Sequence, residues 1–344
     1  MAQKQERIAK LIGVIAELVG ERNEKFILIC TRAATLCKAD LLSGIVGEFP
    51  TLQGIMGGYY ARHDKEDSEV ADAISEHYLP RAMEGPIPQA RVSQVLSIAD
   101  RLDSIAAFFH VGMIPSGSED PFALRRHATA IVRIILEAKF DLDLGKLIER
   151  AQMIIVESGI KAAPGGDGHR RIVEFFFERV RHYGRTINSF RDDVINAVLN
   201  AADKRSFGLL DLFTKMKALQ SVTARKDFDP LMIGFKRAHR LIEKEQWDRN
   251  AVESAMFQHP AESELSSTID GLRQNMKERM KVGNYGQALD SLVALKPAID
   301  AFFEAVMVNA DDVAVRSNRL SLLKEVDDIF MSFADFSQIV VQGS

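Results

Sequence analysis

Cysteine is scarce in this chain. There are two, Cys30 and Cys37, seven positions apart. That spacing offers neither a zinc-ligand pair nor a disulfide framework, and a reducing, cytoplasmic setting is the expectation. Long apolar runs are missing too, and nothing approaches the ~18 residues a membrane span needs. The opening "MAQKQERIAKLIGVIAELVG" is charged and then amphipathic, without the apolar core and small-residue cleavage site of a signal peptide. Alternating β patterns are nearly absent. Excess charge of one sign is absent as well: the formal net charge is -4 and the pI about 6.1. This speaks against indiscriminate coating of nucleic acid but leaves room for a local basic face. The loop "PGGDG" (164–168) lacks the Lys and Ser/Thr of a phosphate-cradling loop. No Ser-His-Asp or Cys-His set can be defended from order and context, so no catalytic residue is assigned. No fixed-period repeat or low-complexity segment occurs.

What the chain has is helical periodicity. Its 344 residues allow roughly two domains, and 47% apolar with 27% charged residues is ordinary for a globular protein. Pro50 opens a stripe of Leu52, Ile55, Met56 and Tyr59. A second stripe is Val70, Ile74, His77 and Tyr78, and a third runs from Val92 to Phe109. Asp120-Pro121 reads as a capping carboxylate and a first-turn proline, leading into Leu124, Ala128, Ile131 and Ile135. The segments "EGPIP", "MIPSGSEDP" and "APGGDG" read as turns. The expected fold is all-α. "KAAPGGDG" (161–168) is the likeliest boundary or long loop, which gives domains 1–160 and 161–344.

Two His pairs raise a chemical question. "YYARHDKEDSEVADAISEHYLPR" carries His63-Asp64 and then Glu76-His77. A His-Asp tandem followed by a further His is the mark of a metal-dependent phosphohydrolase of the HD type. Yet "HDKEDSE" is a charge run, and such runs are generally a solvated loop or helix start.

"LCKADLLSGIVGEFPTLQGIMGGYYARHD" resembles the β subunit of the bacterial-type heteromeric glycyl-tRNA synthetase. That family carries an L-x-K-x-D-L segment, here Leu36 to Leu41. An E-F…L-Q-G-x-M-G…Y-A segment follows, here Glu48 to Ala61. "EHYLPR" (76–81), "IADRLDSIAAFFHVG" (98–112) and "DPFALRRHA" (120–128) follow in the family's order. "FFEAVMVNADDVAVRSNRLSLL" resembles the family's helical anticodon-binding domain, whereas 165–260 match weakly, chiefly at "GFKRAHRLI". The part resembled is the family's C-terminal half, an HD-like helical domain (1–160) followed by a helical, DALR-like anticodon-binding domain (161–344). The chain then reads as an expressed fragment, with Met1-Ala2 a cloning remnant, or as a naturally short form.

The resemblance also bears on the HD question. An HD hydrolase buries its tandem in a helix, where His and Asp hold a divalent ion that activates water. The helix that fits that context here is "ATLCKADLL", and the tandem's place is taken by Cys37-Lys38. A lysine puts a positive charge where a cation should sit, so no metal site is expected. Glu76, His77 and Asp100 read either as survivors of such a site or as plain polar residues on helix faces. Cys37, in an otherwise apolar helix, reads as a small buried residue.

Several basic positions could meet RNA. "ALRRHATAIVR" places Arg126 and Arg133 on one face with Arg125 beside them, as a phosphate-binding edge or as capping and ion-pairing residues. In the C-terminal domain Pro297 starts a helix whose Ile299, Phe302, Phe303 and Val306 should face inward, and "NADD" is the turn. By family resemblance the next helix start, with Arg316, Asn318 and Arg319, lies near the loop that meets the anticodon stem. Guanidinium forks suit phosphates, and an amide can read a base edge. Such residues can equally brace the helix against the turn. Lys236, Arg237 and Arg240, and Arg273, Lys277, Arg279 and Lys281, form two further basic faces that are either RNA contacts or solvated surface.

The resemblance implies a tRNA-binding part of a class II glycine–tRNA ligase. Its partners would be glycine tRNA and an α subunit, two α with two β. ATP and Mg would be used by the holoenzyme and no cofactor held by this chain. Neither membrane nor DNA is an expected partner. Two rival readings stand beside it: an HD-type metal phosphohydrolase with an appended helical domain, and a helical scaffold that joins protein partners.

Overall fold

The structure, a computed structural model, describes residues 1–341 except 83, 118, 165–167, 246, 248 and 249. The phosphate-loop test on "PGGDG" therefore falls largely outside the described residues. Sixteen α-helices and a few 3-10 turns carry the described chain, and no strand occurs among the described residues. The all-α expectation holds.

Packing divides the chain into two compact units, 1–183 with 203–210, and 184–202 with 211–344. The division falls after Tyr183, not at 160/161. A turn-rich segment marks a break in secondary structure, whereas a unit ends where packing ends. The helix that follows the loop packs mainly with what precedes it.

The first unit holds α1 (Ala2–Leu18), α2 (Glu24–Leu36), α3 (Gly44–Glu48), α4 (Ile55–His63), α5 (Ser68–Glu76), α6 (Arg91–His110), α7 (Leu124–Glu137), α8 (Leu144–Glu157) and most of α9 (Gly168–Thr186). Its axis is α6, which packs against α1, α2, α5, α7 and α8. A helix touched on so many sides must be apolar nearly all round. Val92, Leu96, Ile98, Ala99, Leu102, Ile105 and Phe109 are all buried, together with Asp100, Arg101 and Asp103.

Two expectations fail locally. The stripe led by Pro50 does not face inward: Pro50–Leu52 is a 3-10 turn, and Tyr59 is 62% exposed. The buried face of α4 is Gly57, Gly58 and Ala61. A Cβ at Gly57 would lie 2.7 Å from Ile74, and one at Gly58 would collide with Ser75 of α5. Small residues let the two backbones approach, so the apolar ones are left outside. Gly54 turns into α4 at φ +80°, a conformation that favours glycine. The buried carboxylate of Asp40 accepts from Gly54 N (2.6 Å) and Gly57 N (3.1 Å), capping the helix. The other failure is at α7, which starts at Leu124, not Pro121. Asp120 still caps it from outside, accepting from Leu124 N (2.8 Å) and Arg125 N (3.0 Å) across a turn in which Ala123 has φ +56°.

The second unit holds α10 (Asp192–Ala201), most of α11 (Leu209–Thr223), α12 (Phe228–Lys244), α13 (Pro260–Lys281), α14 (Tyr285–Val293), α15 (Lys296–Ala305) and α16 (Val313–Met331). α12 and α13 each pack against α15 and α16. Phe235 stacks on Phe330 at 4.5 Å, and Phe336 closes edge-on against Phe330 at 5.2 Å. Pro297 lies in the first turn of α15 as expected, with Ile299, Phe302 and Val306 buried. Phe303 is only half-buried, and its ring carries the Arg237 guanidinium 4.2 Å from its centroid.

Candidate nucleic-acid interface

The opening His63-Asp64 pair is solvated. His63 ends α4, Asp64 follows it, and both are exposed. Glu76 accepts from Gln89 N (3.2 Å) and joins no cluster among the described residues.

Lys38, His77 and Asp100 do come together. Lys38 Nζ lies 2.7 Å from Asp100 Oδ2, 2.9 Å from His77 Nε2 and 3.0 Å from the Tyr78 hydroxyl. The imidazole tautomer follows from its other nitrogen. His77 Nδ1 is 2.7 Å from the Ile74 carbonyl, which can only accept, so Nδ1 carries the proton. Nε2 then presents its lone pair to the ammonium. Burial, and next the Lys38 charge, hold the His77 pKa well below its usual value, so the ring is neutral. Burial alone would lower the Lys38 pKa, but Asp100, Tyr78 and Cys37 together outweigh it and the net shift is upward. Burial alone would raise the Asp100 pKa, but Lys38 and then Lys4 hold it well below the carboxylate range. Lys4 Nζ sits 2.9 Å from Asp100 Oδ1 and 3.1 Å from Asp103 Oδ2. Arg7 grips Asp103 with two bonds of 2.6 and 3.1 Å.

The donor set does not fit a divalent ion. The lone pair and carboxylate that would ligate it already face an ammonium, and an added dication would meet a fixed like charge within a few ångströms. Among the described residues no group of three or more His, Cys, Asp or Glu is placed to hold a metal. Cys37 is buried, and burial pushes its thiol up to about 12, so it offers no thiolate. Arg101 donates to the carbonyls of His77 (2.6 Å) and Tyr78 (2.7 Å), closing the end of α5. Sequence reasoning missed Lys4, Arg7 and Arg101 in this network. Pairing across 23 to 99 residues leaves no local signal.

The expected arginine edge on α7 exists in altered form. Arg125, Arg126 and Arg133 line one cavity of about 380 Å³ together with Arg81, Arg179 and His182. Arg133 pairs with Glu137 at 2.7 Å and donates to Gly85 O at 2.9 Å. Arg125 donates to Gly117 O at 2.8 Å. Arg126 is exposed. Arg81 and Arg179 were not singled out from sequence. The first lay inside a family motif.

The α16 candidates need correction. Asn318 and Arg319 are buried, not displayed. The Asn318 amide accepts from Glu253 N (2.8 Å) and donates to Glu253 O (3.0 Å), so both its ends are occupied. Arg319 donates to Glu262 Oε1 (3.0 Å), Met307 O (2.9 Å) and Gln258 Oε1 (3.2 Å). Glu262 is itself fully buried, and leaving it unpaired would be costly. These two residues brace the segments before α13 and α16. Arg316, half-buried, donates to Ala310 O at 3.3 Å.

The α12 face remains open. Lys236 donates to Ile339 O (2.7 Å) and is half-buried, while Arg237 and Arg240 are exposed. With Lys244 they line one depression, and Arg237 also borders a second, about 560 Å³, beside Phe303 and Met307. Four cations on one helix face, beside an accessible aromatic ring, suit a phosphate backbone with an unpaired base. On the α13 face, Arg279 is tied to Gln287 O (2.6 Å) and Ser291 Oγ (2.9 Å).

An all-α second unit with a basic helix face has the form of a helical anticodon-binding domain, and comparison with known proteins agrees. Residues 231–335 match the family model described as the DALR anticodon binding domain. Residues 1–200 match the one described as glycyl-tRNA synthetase beta subunit. Curated glycine–tRNA ligase beta subunits are similar along nearly the whole chain. That of Geobacter sp. (strain M21) is 39% identical over 338 residues, covering 98% of this chain and 47% of the relative. That of Acidithiobacillus ferrooxidans (strain ATCC 53993 / BNL-5-31) is 41% identical over 340 residues, covering 97% and 46%. The chain thus spans about half the length of the curated relatives it matches. It belongs to the glycyl-tRNA synthetase β-subunit family. No helix among the described residues is long and apolar enough to cross a membrane.

Proposed function

We propose that this chain is a tRNA-binding portion of a glycyl-tRNA synthetase β subunit. It grips glycine tRNA at the body and anticodon arm and so orients the acceptor end toward an active site on a partner α subunit. The observation that carries the reading is the coincidence of the DALR match with the open basic face of α12, Lys236, Arg237, Arg240 and Lys244. Positioning of this kind acts by making the reaction effectively unimolecular. ATP, Mg and glycine would be handled by the α subunit in an assembly of two α and two β, a class II ligase of the cytoplasm. This chain would supply binding surface and no reacting group.

The first unit is read as an HD-like domain without hydrolase chemistry. The Lys38 ammonium takes the place of the divalent ion and is held by His77 and Asp100. This disfavours the phosphohydrolase alternative. Protection footprinting of glycine tRNA with this chain tests the binding reading. Protection concentrated on the anticodon arm is expected. An unprotected tRNA at saturating protein, or equal protection of every tRNA region, contradicts it.

A further inference from the structure

The arginine-lined cavity of the first unit has a charge balance that none of the described residues completes. Arg81, Arg125, Arg126, Arg133 and Arg179 border it, and no carboxylate among the described residues does. Glu137 offsets Arg133 and Glu178 offsets Arg179, at 2.7 and 3.0 Å. Arg81 and Arg125 donate to carbonyls, Thr51 O and Gln53 O for the first and Gly117 O for the second. Carbonyls satisfy hydrogen bonds without cancelling charge. Arg126 is exposed and makes no ion pair among the described residues. The Nε of Arg179 is buried with no hydrogen-bond partner among the described residues, a costly state for a donor. Burial lowers the Arg179 pKa, and the neighbouring Arg125 charge adds to this, despite the Glu178 partner. Crowded guanidiniums with an unused buried donor are the complement of an oxyanion.

The shape narrows the ligand. About 380 Å³ is far more than one phosphate fills and lies in the range of small-ligand sites, roughly 300–1,000 Å³. Pro80, Ala82 and Ala130 supply apolar wall beside the arginines. We propose that this cavity binds a nucleoside monophosphate unit, with the phosphate on the arginines and the base or sugar against the apolar wall. The unit is either a free nucleotide or one residue of a bound RNA. The inference rests on the tRNA reading only for the second of these sources.

The test is calorimetric titration of the whole chain with each of the four 5′-nucleoside monophosphates, with the matching nucleosides, and with inorganic phosphate. At least one monophosphate should bind. Its nucleoside should bind at least about tenfold more weakly, because it carries no phosphate charge to meet the arginines. Arg126→Glu, at an exposed side chain without an ion pair among the described residues, should weaken that binding about tenfold or more while leaving thermal unfolding unchanged. Arg125→Ala is the second variant and should weaken it too. Competition by glycine tRNA assigns the site to RNA, and simultaneous binding of tRNA and mononucleotide assigns it to a free nucleotide. No binding by any monophosphate, equal binding of nucleoside and nucleotide, or undiminished binding in both variants overturns the proposal. Mononucleotide binding by a chain that fails to bind tRNA sinks only the functional reading above.

Discussion

Lys38 Nζ and Asp100 Oδ2, sixty-two residues apart in sequence, lie 2.7 Å apart in the interior of the first unit. Breaking such a pair from one side leaves a largely buried charge with one partner fewer. Lys38→Met should therefore destabilise the protein by about 3 kcal/mol, the low end of the range for buried pairs, because Lys4 still faces Asp100. Adding Asp100→Asn should restore much of the loss. Urea denaturation of the two singles and the double measures the coupling, and additive losses would contradict the pairing.

A second expectation concerns acid. The folded pKa of His77 lies well below 6.5, chiefly through burial and then Lys38. That of His127 is lowered to about 4, by burial and then Arg101. Both rings stay neutral when folded while the unfolded chain takes up protons. Stability is therefore fully present above pH 6.5 and falls as pH drops below it. Between about pH 4.5 and 5.5 the two rings together contribute a slope of up to roughly 2.7 kcal/mol per pH unit. Asp100 acts lower: its depressed pKa contributes stability that is lost only as pH falls below about 3.9, the unfolded value. Urea midpoints measured from pH 7 to 4.5 should hold to about pH 6.5 and then fall, and His127→Asn should flatten the slope by up to about half. An unchanged slope in that variant would contradict the assignment.

Purified without chelator, the chain should carry far less than one transition metal per molecule, because the ammonium already faces Asp100 and His77. Metal analysis of the wild type and of Asp100→Ala decides this. One ion per chain in the wild type, lost in the variant, would revive the hydrolase reading.

Arg319→Ala should lower stability by about 3 kcal/mol and leave the tRNA affinity of the folded protein unchanged, since it uncovers the fully buried Glu262. Burial would raise the Glu262 pKa, but Arg319 and the amides of Gln258 and His259 outweigh it and hold it low, so the charge stays. Asn318→Ala should behave alike, with a smaller loss of about 1–3 kcal/mol for the Glu253 groups left unpaired. Thermal unfolding beside tRNA binding on the same samples separates the two roles. A loss of affinity at full stability would return these residues to the interface.

The sequence made the helical class plain, because periodicity is local and every stripe repeats it. It also singled out Lys38, because the motif around it is contiguous. It did not say where the α16 side chains go. An Arg-x-x-Arg spacing is the same whether the guanidinium meets RNA or reaches Glu262, fifty-seven positions away. The α4 stripe misled for a related reason. Leu52, Ile55 and Tyr59 are apolar at helical spacing, but the glycines beside them pack closer and claim the interior. Arg179 could not be joined to Arg125 before folding, since only the packing of the first unit brings them to one cavity.

The claim that the second unit holds tRNA through α12 is tested most directly by Arg237→Ala/Arg240→Ala. Both side chains are exposed on that face. Binding of glycine tRNA is measured against salt concentration for this variant and the wild type, with thermal unfolding as the control for folding. The account expects weaker binding with at most about 1 kcal/mol of stability lost, from the Arg237–Phe303 contact. It also expects a log K against log salt plot less steep by up to about 0.7–0.9 for each phosphate that the variant leaves unneutralised. Unchanged affinity and an unchanged salt slope in the stably folded variant would contradict it.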